Sequence, residues 1–285
     1  MTANKSMAEE LLDQARNTVA LAVGAGADDA VASVSCGRAL EFQYRADKLE
    51  KVQEDTSRSL GIALYVDGRF STHGTNDLDP ARLSSFVSEA VAITRELEPD
   101  PHRAITPPEL YAQRPEVDLD LVDGTLLELS REERIAWCRQ MDSEAHGHPD
   151  VISATSGVTD SSGVSARVSS NGFEGTHERT SVWYGTEVTI REDDLKRPEA
   201  WWWVGGSHQE GLPSPQDVGR EALRRVLSRR GSEKVPSIRT TMVVDPEAGS
   251  GLLGRMMGAL TAGAIQQQRS FLADRKGTRI ASSLL

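Results

Sequence analysis

Cysteine is scarce: there are two in 285 residues, Cys36 and Cys138, far apart in the chain. That count excludes a disulfide scaffold and suits a reducing compartment with two free thiols. No partner motif surrounds either one, so each reads as a packed side chain. Long apolar runs are lacking too. None approaches the roughly 20 residues needed to span a bilayer. The start of the chain, "MTANKSMAEELLDQARN", is polar and passes into an amphipathic helix pattern without the apolar stretch of a signal peptide. These absences predict a soluble, cytoplasmic protein. Positive charge is the third shortage. Lys and Arg number 32 against 43 Asp and Glu, a net charge of −11. Such a chain lacks the basic surface that non-specific binding to DNA or anionic membranes requires, so no nucleic acid and no membrane is expected as a partner.

What remains is an ordinary globular balance. Hydrophobic residues make up 38% and charged residues 26%, enough apolar material for a substantial core. The length allows one large domain or two ordinary ones. Leu11, Leu12, Ala15, Val19 and Ala22 form one stripe at helical spacing, which predicts a helix over 8–25 ended by Gly24 and Gly26. "AVASVSC" (30–36) alternates as a strand; Gly37-Arg38 reads as a short turn, and Leu40, Phe42 and Tyr44 start a second strand. Leu60, Ile62, Leu64 and Val66 alternate up to Asp67-Gly68, a type I′ hairpin signal. Asp79-Pro80 then opens a helix to Leu97, with Phe86, Ala90 and Ile93 inward.

Prolines and acids fill 98–129, a linker or strap. The capping box Ser130…Glu133 starts the next helix, which carries Ile135, Trp137, Cys138 and Met141. From Val151 the period becomes two, with a turn at Asn171-Gly172 and a continuation through "WWWVGG" (201–206). A helix over 217–229, a strand over 237–245 and a helix over 246–264 follow. The fold class expected is α+β: an N-terminal two-layer helix and antiparallel-sheet domain (1–97), the strap (98–129), a β-rich middle domain with packed helices (130–236), and the start of a C-terminal domain (237–285).

Few residues carry recognisable chemistry. His146 and His148 in "EAHGHPD" stand two apart but lie ahead of Pro149 with no third ligand in sight, so an exposed loop is the plainer reading than a metal site. "GAGADD" (24–29) follows a helix rather than a strand, which fails the context test for a dinucleotide loop. "DLDLVD" and "REDD" read as solvated loop charges. The three tryptophans read either as a packed or interface strand or as a hydrophobic binding wall.

The helix over 246–264 is the exception. Leu253, Met256, Met257, Leu260 and Ala264 form an apolar stripe expected to be a core face. Ser250, Gly254, Gly258 and Ala262 recur at every fourth position and leave another face bare, although glycine costs about 1 kcal/mol in a helix relative to alanine. Either another backbone packs closely there, or the face borders a cavity or a vanished site.

Several segments together resemble the TldD/PmbA family, most of all its TldE (PmbA) subunit: "SLGIALYVDGRFSTHGTNDLDP", "SSNGFEGTHERTS", "DVGREALRRVL" with "KVPS", "VVDPEAGSGLLGRMMGALTAGA" and "RSFLADRKGTRIAS". They occur in the family's order. The resemblance implies that the matching helix of the catalytic TldD subunit carries a His-Glu-x-x-x-His zinc motif, two imidazoles for the metal and a carboxylate for the water. Here Gly254 and Ala259 stand at the histidine positions and Arg255 at the glutamate. The resemblance therefore implies no catalytic and no metal residue in this chain, zinc supplied by a TldD-like partner, and a cytoplasmic metallopeptidase complex acting on unfolded peptides, with links to peptide maturation and antitoxin degradation. The family continues past this helix with further β structure, so the chain reads as C-terminally truncated, with unpaired sheet edges to be expected. Two other readings stay open: an independent peptidase resting on His146 and His148, and a regulatory binding module of the toxin–antitoxin or gyrase-modulator type.

Overall fold

The computed structural model describes residues 6–112, 117–193 and 195–283. They form two compact units, Met1–Ser232 and Glu233–Leu285. The first is built on six antiparallel strands: β1 (Asp29–Arg45), β2 (Lys48–Val66), β3 (Arg69–Thr75), β4 (Val151–Ser169), β5 (Glu174–Ile190) and β6 (Glu199–Gly206). Their order across the sheet is β3-β2-β1-β4-β5-β6. β1 pairs with β2 on one side and with β4 on the other, so the segments 1–97 and 130–236 contribute to one sheet.

Alternation decides which side of that sheet is covered. Ala30, Ala32, Val34, Leu60, Ile62, Leu64 and Val66 are buried under helices α1 (Met7–Gly24) and α2 (Pro80–Arg95). Further across the same side of the sheet, Leu40, Phe42, Val158, Val182 and Tyr184 are buried with Cys138 and Met141 of helix α4 (Arg131–Ala145) and Val218 of helix α5 (Pro215–Leu227). The odd-numbered side is open. Ser33, Ser35, Thr159, Ser161 and Ser165 stay half-buried or exposed there, joined by cross-strand serine pairs at 2.9 Å, Ser35 to Ser59 and Ser161 to Ser181.

The helix starts follow local chemistry. Ser6 with Glu9, and Ser130 with Glu133, form reciprocal capping boxes; Asp79 accepts from the amides of Ala81 and Arg82. Ser214, three residues ahead of the expected start, caps α5.

Several expectations need correction. Gly37-Arg38 is no turn: β1 runs through it, with Gly37 opposite Ser57 on one side and Gly163 on the other. Two flanking strands hold a glycine in extended backbone that its lone propensity would not. The true turn is Ala46-Asp47, both at positive φ (48° and 59°), the conformation a two-residue hairpin demands. In α2 the buried stripe is Leu83, Val87, Ala90, Val91 and Thr94, whereas Ile93 is 54% exposed. The strap holds a 3-10 turn (Pro108–Leu110) and a short helix α3 (Gly124–Glu128).

The second unit departs most. Residues 237–245 form no strand among the described residues, for alternation makes a strand only where another strand supplies hydrogen bonds. Helix α6 (Pro246–Ala259) ends earlier than expected. Leu260 closes it, and Thr261 caps a separate short helix, α7 (Ala262–Gln266). The stripe expected in a core is not buried: Leu253, Met256, Met257 and Leu260 are exposed, and Ala264 is half-buried.

Candidate functional site

In the second unit, helix α6 is fixed by its own ends. The Asp245 carboxylate accepts from the Glu247 amide at 2.8 Å, Pro246 occupies the first turn, and Ser270 Oγ donates to the Ala259 carbonyl at 2.6 Å. Ser250, Gly254 and Gly258 share one face of α6 at four-residue spacing, but Ala262 lies beyond the turn, in α7. A Cβ built on Gly254 or Gly258 would meet no atom within 4 Å. Arg255 is exposed and Ala259 half-buried. Gly254 and Ala259 offer no lone pair, and Arg255 is a cation with no acceptor. These side chains cannot ligate zinc.

Among the described residues no three of His, Cys, Asp and Glu converge as a metal site. The two neighbouring histidines part company. His146 ends α4, with Nδ1 3.4 Å from Asp142 Oδ2. His148 Nδ1 accepts from the Asp150 amide at 3.2 Å, and the Asp150 carboxylate is paired with Arg230. Asp142 is almost fully buried, and its Oδ1 has no partner among the described residues. Burial pushes its carboxyl above the usual range, with His146 pulling the other way.

The nucleophile candidates are restrained. Burial pushes the Cys138 thiol up to about 12, so at neutral pH it is no thiolate. Ser71 Oγ lies 2.8 Å from His73 Nε2, but it also meets Thr94 Oγ1 at 2.6 Å, and Thr94 donates to the Ala90 carbonyl. This chain ties α2 to edge strand β3. The buried ion pair serves packing as well. Arg134 makes two bonds to Asp160, at 2.5 and 2.8 Å, and its guanidinium sits 5.8 Å from the Phe42 ring centre.

Two features mark the open sheet face, and of these the sequence reading met only the 201–203 tryptophans. Trp183, Trp201 and Trp203 stand on it, partly exposed, while Trp202 points to the covered side. Glycines make room for the rings: a Cβ on Gly185 would lie 2.4 Å from Trp203, and one on Gly205 2.3 Å from Trp183. The same face holds a cavity under the 98–112 strap, lined by Val31, Tyr65, Ile105, Tyr111, Arg167 and Phe173. Strap residues show no periodicity, so only the strands beneath them were legible.

A long antiparallel sheet with helices on one side, followed by a separate helical unit, defines an α+β protein. Comparison places it. Residues 124–230 match the PmbA/TldA metallopeptidase central domain, and residues 237–285 match the C-terminal domain of the same family. The metalloprotease PmbA of Escherichia coli O157:H7 is 26% identical over 278 residues, 95% of this chain and 60% of the relative. A PmbA homologue of Haemophilus influenzae is 23% identical over 97% of this chain and 60% of its own length. A crystal structure described as a modulator of DNA gyrase, from Bacteroides thetaiotaomicron, is 32% identical with a TM-score of 0.90, covering 97% of this chain and 63% of that one. TldE of Thermococcus kodakarensis shares the fold at a TM-score of 0.61 and 13% identity, over 75% of this chain and 47% of its own. The chain belongs to the PmbA/TldD metallopeptidase family. It spans about 60% of the length of the curated relatives it matches.

Proposed function

We propose that the chain acts as a non-catalytic, TldE/PmbA-like subunit of a heteromeric zinc metallopeptidase in the cytoplasm. A TldD-like partner supplies the metal and the hydrolysis, and the substrates are unfolded peptides, in peptide maturation or antitoxin degradation. One observation carries this reading: within a metallopeptidase family, helix α6 presents Gly254, Arg255 and Ala259 where a zinc motif would need two imidazoles and a carboxylate. Among the described residues no helix is long and apolar enough to cross a membrane, in keeping with a peptidase subunit that works in water.

The test is co-expression of this chain with a TldD-like subunit from the same source, followed by zinc analysis and peptidase assays on the complex and on each chain alone. Zinc and activity that require the partner and reside in it are the expected result. Stoichiometric zinc in this chain alone would overturn the proposal. A second reading has its own support, since two similar structures are described as modulators of DNA gyrase. On that reading the chain is a regulatory module, and it binds its target protein without a TldD-like subunit.

A further inference from the structure

The cavity under the strap has the construction of a ligand site. Its floor is three neighbouring strands. Tyr65 on β2, Val31 on β1 and Arg167 and Ser169 on β4 all project from the open face, with Val31 opposite Ser169 and Ser33 opposite Arg167 in the register. Its lid is the strap, which contributes Ile105, Thr106 and Tyr111. The lid is pinned by one residue of the β4–β5 turn. Asn171 Nδ2 donates to the Thr106 carbonyl at 2.8 Å, and the Tyr111 hydroxyl donates back to the Asn171 carbonyl and side-chain oxygen at 3.0 and 3.1 Å. The Tyr111 ring stands edge-on to Phe173, centroids 5.2 Å apart, and forms an aromatic wall.

Two polar groups of the lining, the exposed Arg167 and the half-buried Tyr65, have no partner among the described residues. No described carboxylate lies within ion-pair distance of Arg167, in a chain with 43 acidic residues to offer. The Tyr65 hydroxyl has no hydrogen bond among the described residues, and burial keeps it above its ordinary pKa, so it is a donor at neutral pH. Among the described residues, Asp29 accepts from Ser170 at 2.6 Å, and Arg103 lies over Phe70 and 3.6 Å from Asp100. Two donors without a partner among the described residues, one of them a guanidinium, favour an anion. Aromatic and aliphatic walls select an apolar group attached to it. The volume, about 280 Å³, suits an enclosed group of about one amino-acid residue's size.

We propose that this cavity binds a carboxylate borne on an apolar or aromatic group of one residue's size. The Arg167 guanidinium and Tyr65 hydroxyl hold the carboxylate, and Tyr111, Phe173 and Ile105 enclose the rest. The site is independent of the peptidase reading, because it needs neither zinc nor a partner subunit. A free organic acid and the last residue of a peptide share the chemistry that would be recognised.

Titration of the full chain with N-acetyl-L-phenylalanine, followed by calorimetry or ligand-observed NMR, tests it. Saturable binding is expected, with Kd in the roughly millimolar range for so small a ligand. N-acetyl-phenylalanine amide is expected to bind about tenfold or more weakly, and Arg167→Gln to impose a similar loss on the acid, as removal of a charge-assisted bond does. Ile105→Trp fills the cavity from the lid without touching charge and is expected to abolish binding while the far-UV spectrum stays unchanged. A tripeptide ending in phenylalanine separates the sources. Binding as tight as the free acid marks peptide ends, and binding of the small acid alone marks a metabolite. Equal binding of acid and amide, undiminished binding by folded Arg167→Gln, or no saturable binding by the folded chain overturns the proposal.

Discussion

Two helices of this chain, α5 and α6, carry glycine in their interiors, and the glycines do opposite things. A Cβ on Gly219 of α5 would stand 2.4 Å from the Met141 carbonyl oxygen, so that glycine lets α5 press against the backbone of α4. A Cβ on Gly254 of α6 would touch nothing within 4 Å. The units around them differ in the same way. Residues 6–232 hold every buried side chain among the described residues, and 233–283 hold none. Caps and prolines are enough to write a helix, but they do not say whether anything packs on it. A small residue at a helix surface is a permission for close approach, and only the partner shows whether it is used.

The comparison can be broken most forcefully at the Arg134–Asp160 pair, where the side chains are 4% and 7% exposed. Arg134→Ala leaves a carboxylate buried without its partner and should cost about 3–5 kcal/mol in urea unfolding of the sheet unit. Next, Leu64→Ala empties a fully buried position and should cost about 2–5 kcal/mol. Met257→Ala, at a 61% exposed apolar position of the second unit, should stay within about 0.5 kcal/mol. Equal effects at the two sites would mean that the second unit has a core of its own. The glycines follow. Gly219→Ala should destabilise by roughly 1–3 kcal/mol through forced separation of α4 and α5. Gly254→Ala should favour helix by about 1 kcal/mol and raise the far-UV signal. A loss of helicity at Gly254 would place a close neighbour there.

The smallest effects are in the pH dependence, where two carboxylates should slope in opposite directions. Two guanidiniums, Arg224 at 2.6 Å and Arg225 at 2.9 Å, hold Glu221 down to about 2 from an ordinary value of 4.5. Its contribution is present above 4.5 and lost as pH falls toward 2, a loss that Glu221→Gln should remove from the acid limb of a stability profile. Asp142 is shifted the other way by burial, so its contribution is full at low pH and lost as pH rises through the raised value. Asp142→Asn should therefore gain on the wild type as pH increases. Parallel profiles for wild type and both variants would show that neither carboxylate is shifted.

Much of the sheet unit was legible in the sequence because each signal there is local and repeated. Alternation at Leu60, Ile62, Leu64 and Val66 places β2, Asp67-Gly68 turns it, and the Ser130–Glu133 box starts α4. What stayed hidden depends on distant partners. Gly37 is extended because β2 and β4 flank it, and Ile93 is exposed because Leu83, Val87 and Val91 already fill the face toward β2. The α6 positions were legible as residue types, Gly254, Arg255 and Ala259, on one helix. The strap cavity was not, since Tyr65, Arg167 and Tyr111 meet only after β1 has brought β2 beside β4 and Asn171 has drawn the strap across.

The position of β1 at the middle of the sheet also sets an order of events on the ribosome. β1, β2, β3, α1 and α2 are all made before residue 96, but the other edge of β1 finds its partner only when β4, ending at Ser169, has emerged. Until then a 17-residue strand stands with one row of amides and carbonyls unpaired. Such an edge recruits whatever strand arrives first. The nascent chain therefore passes through a stage in which its own central strand is an open edge. The pace of synthesis over 97–150 should therefore affect its yield.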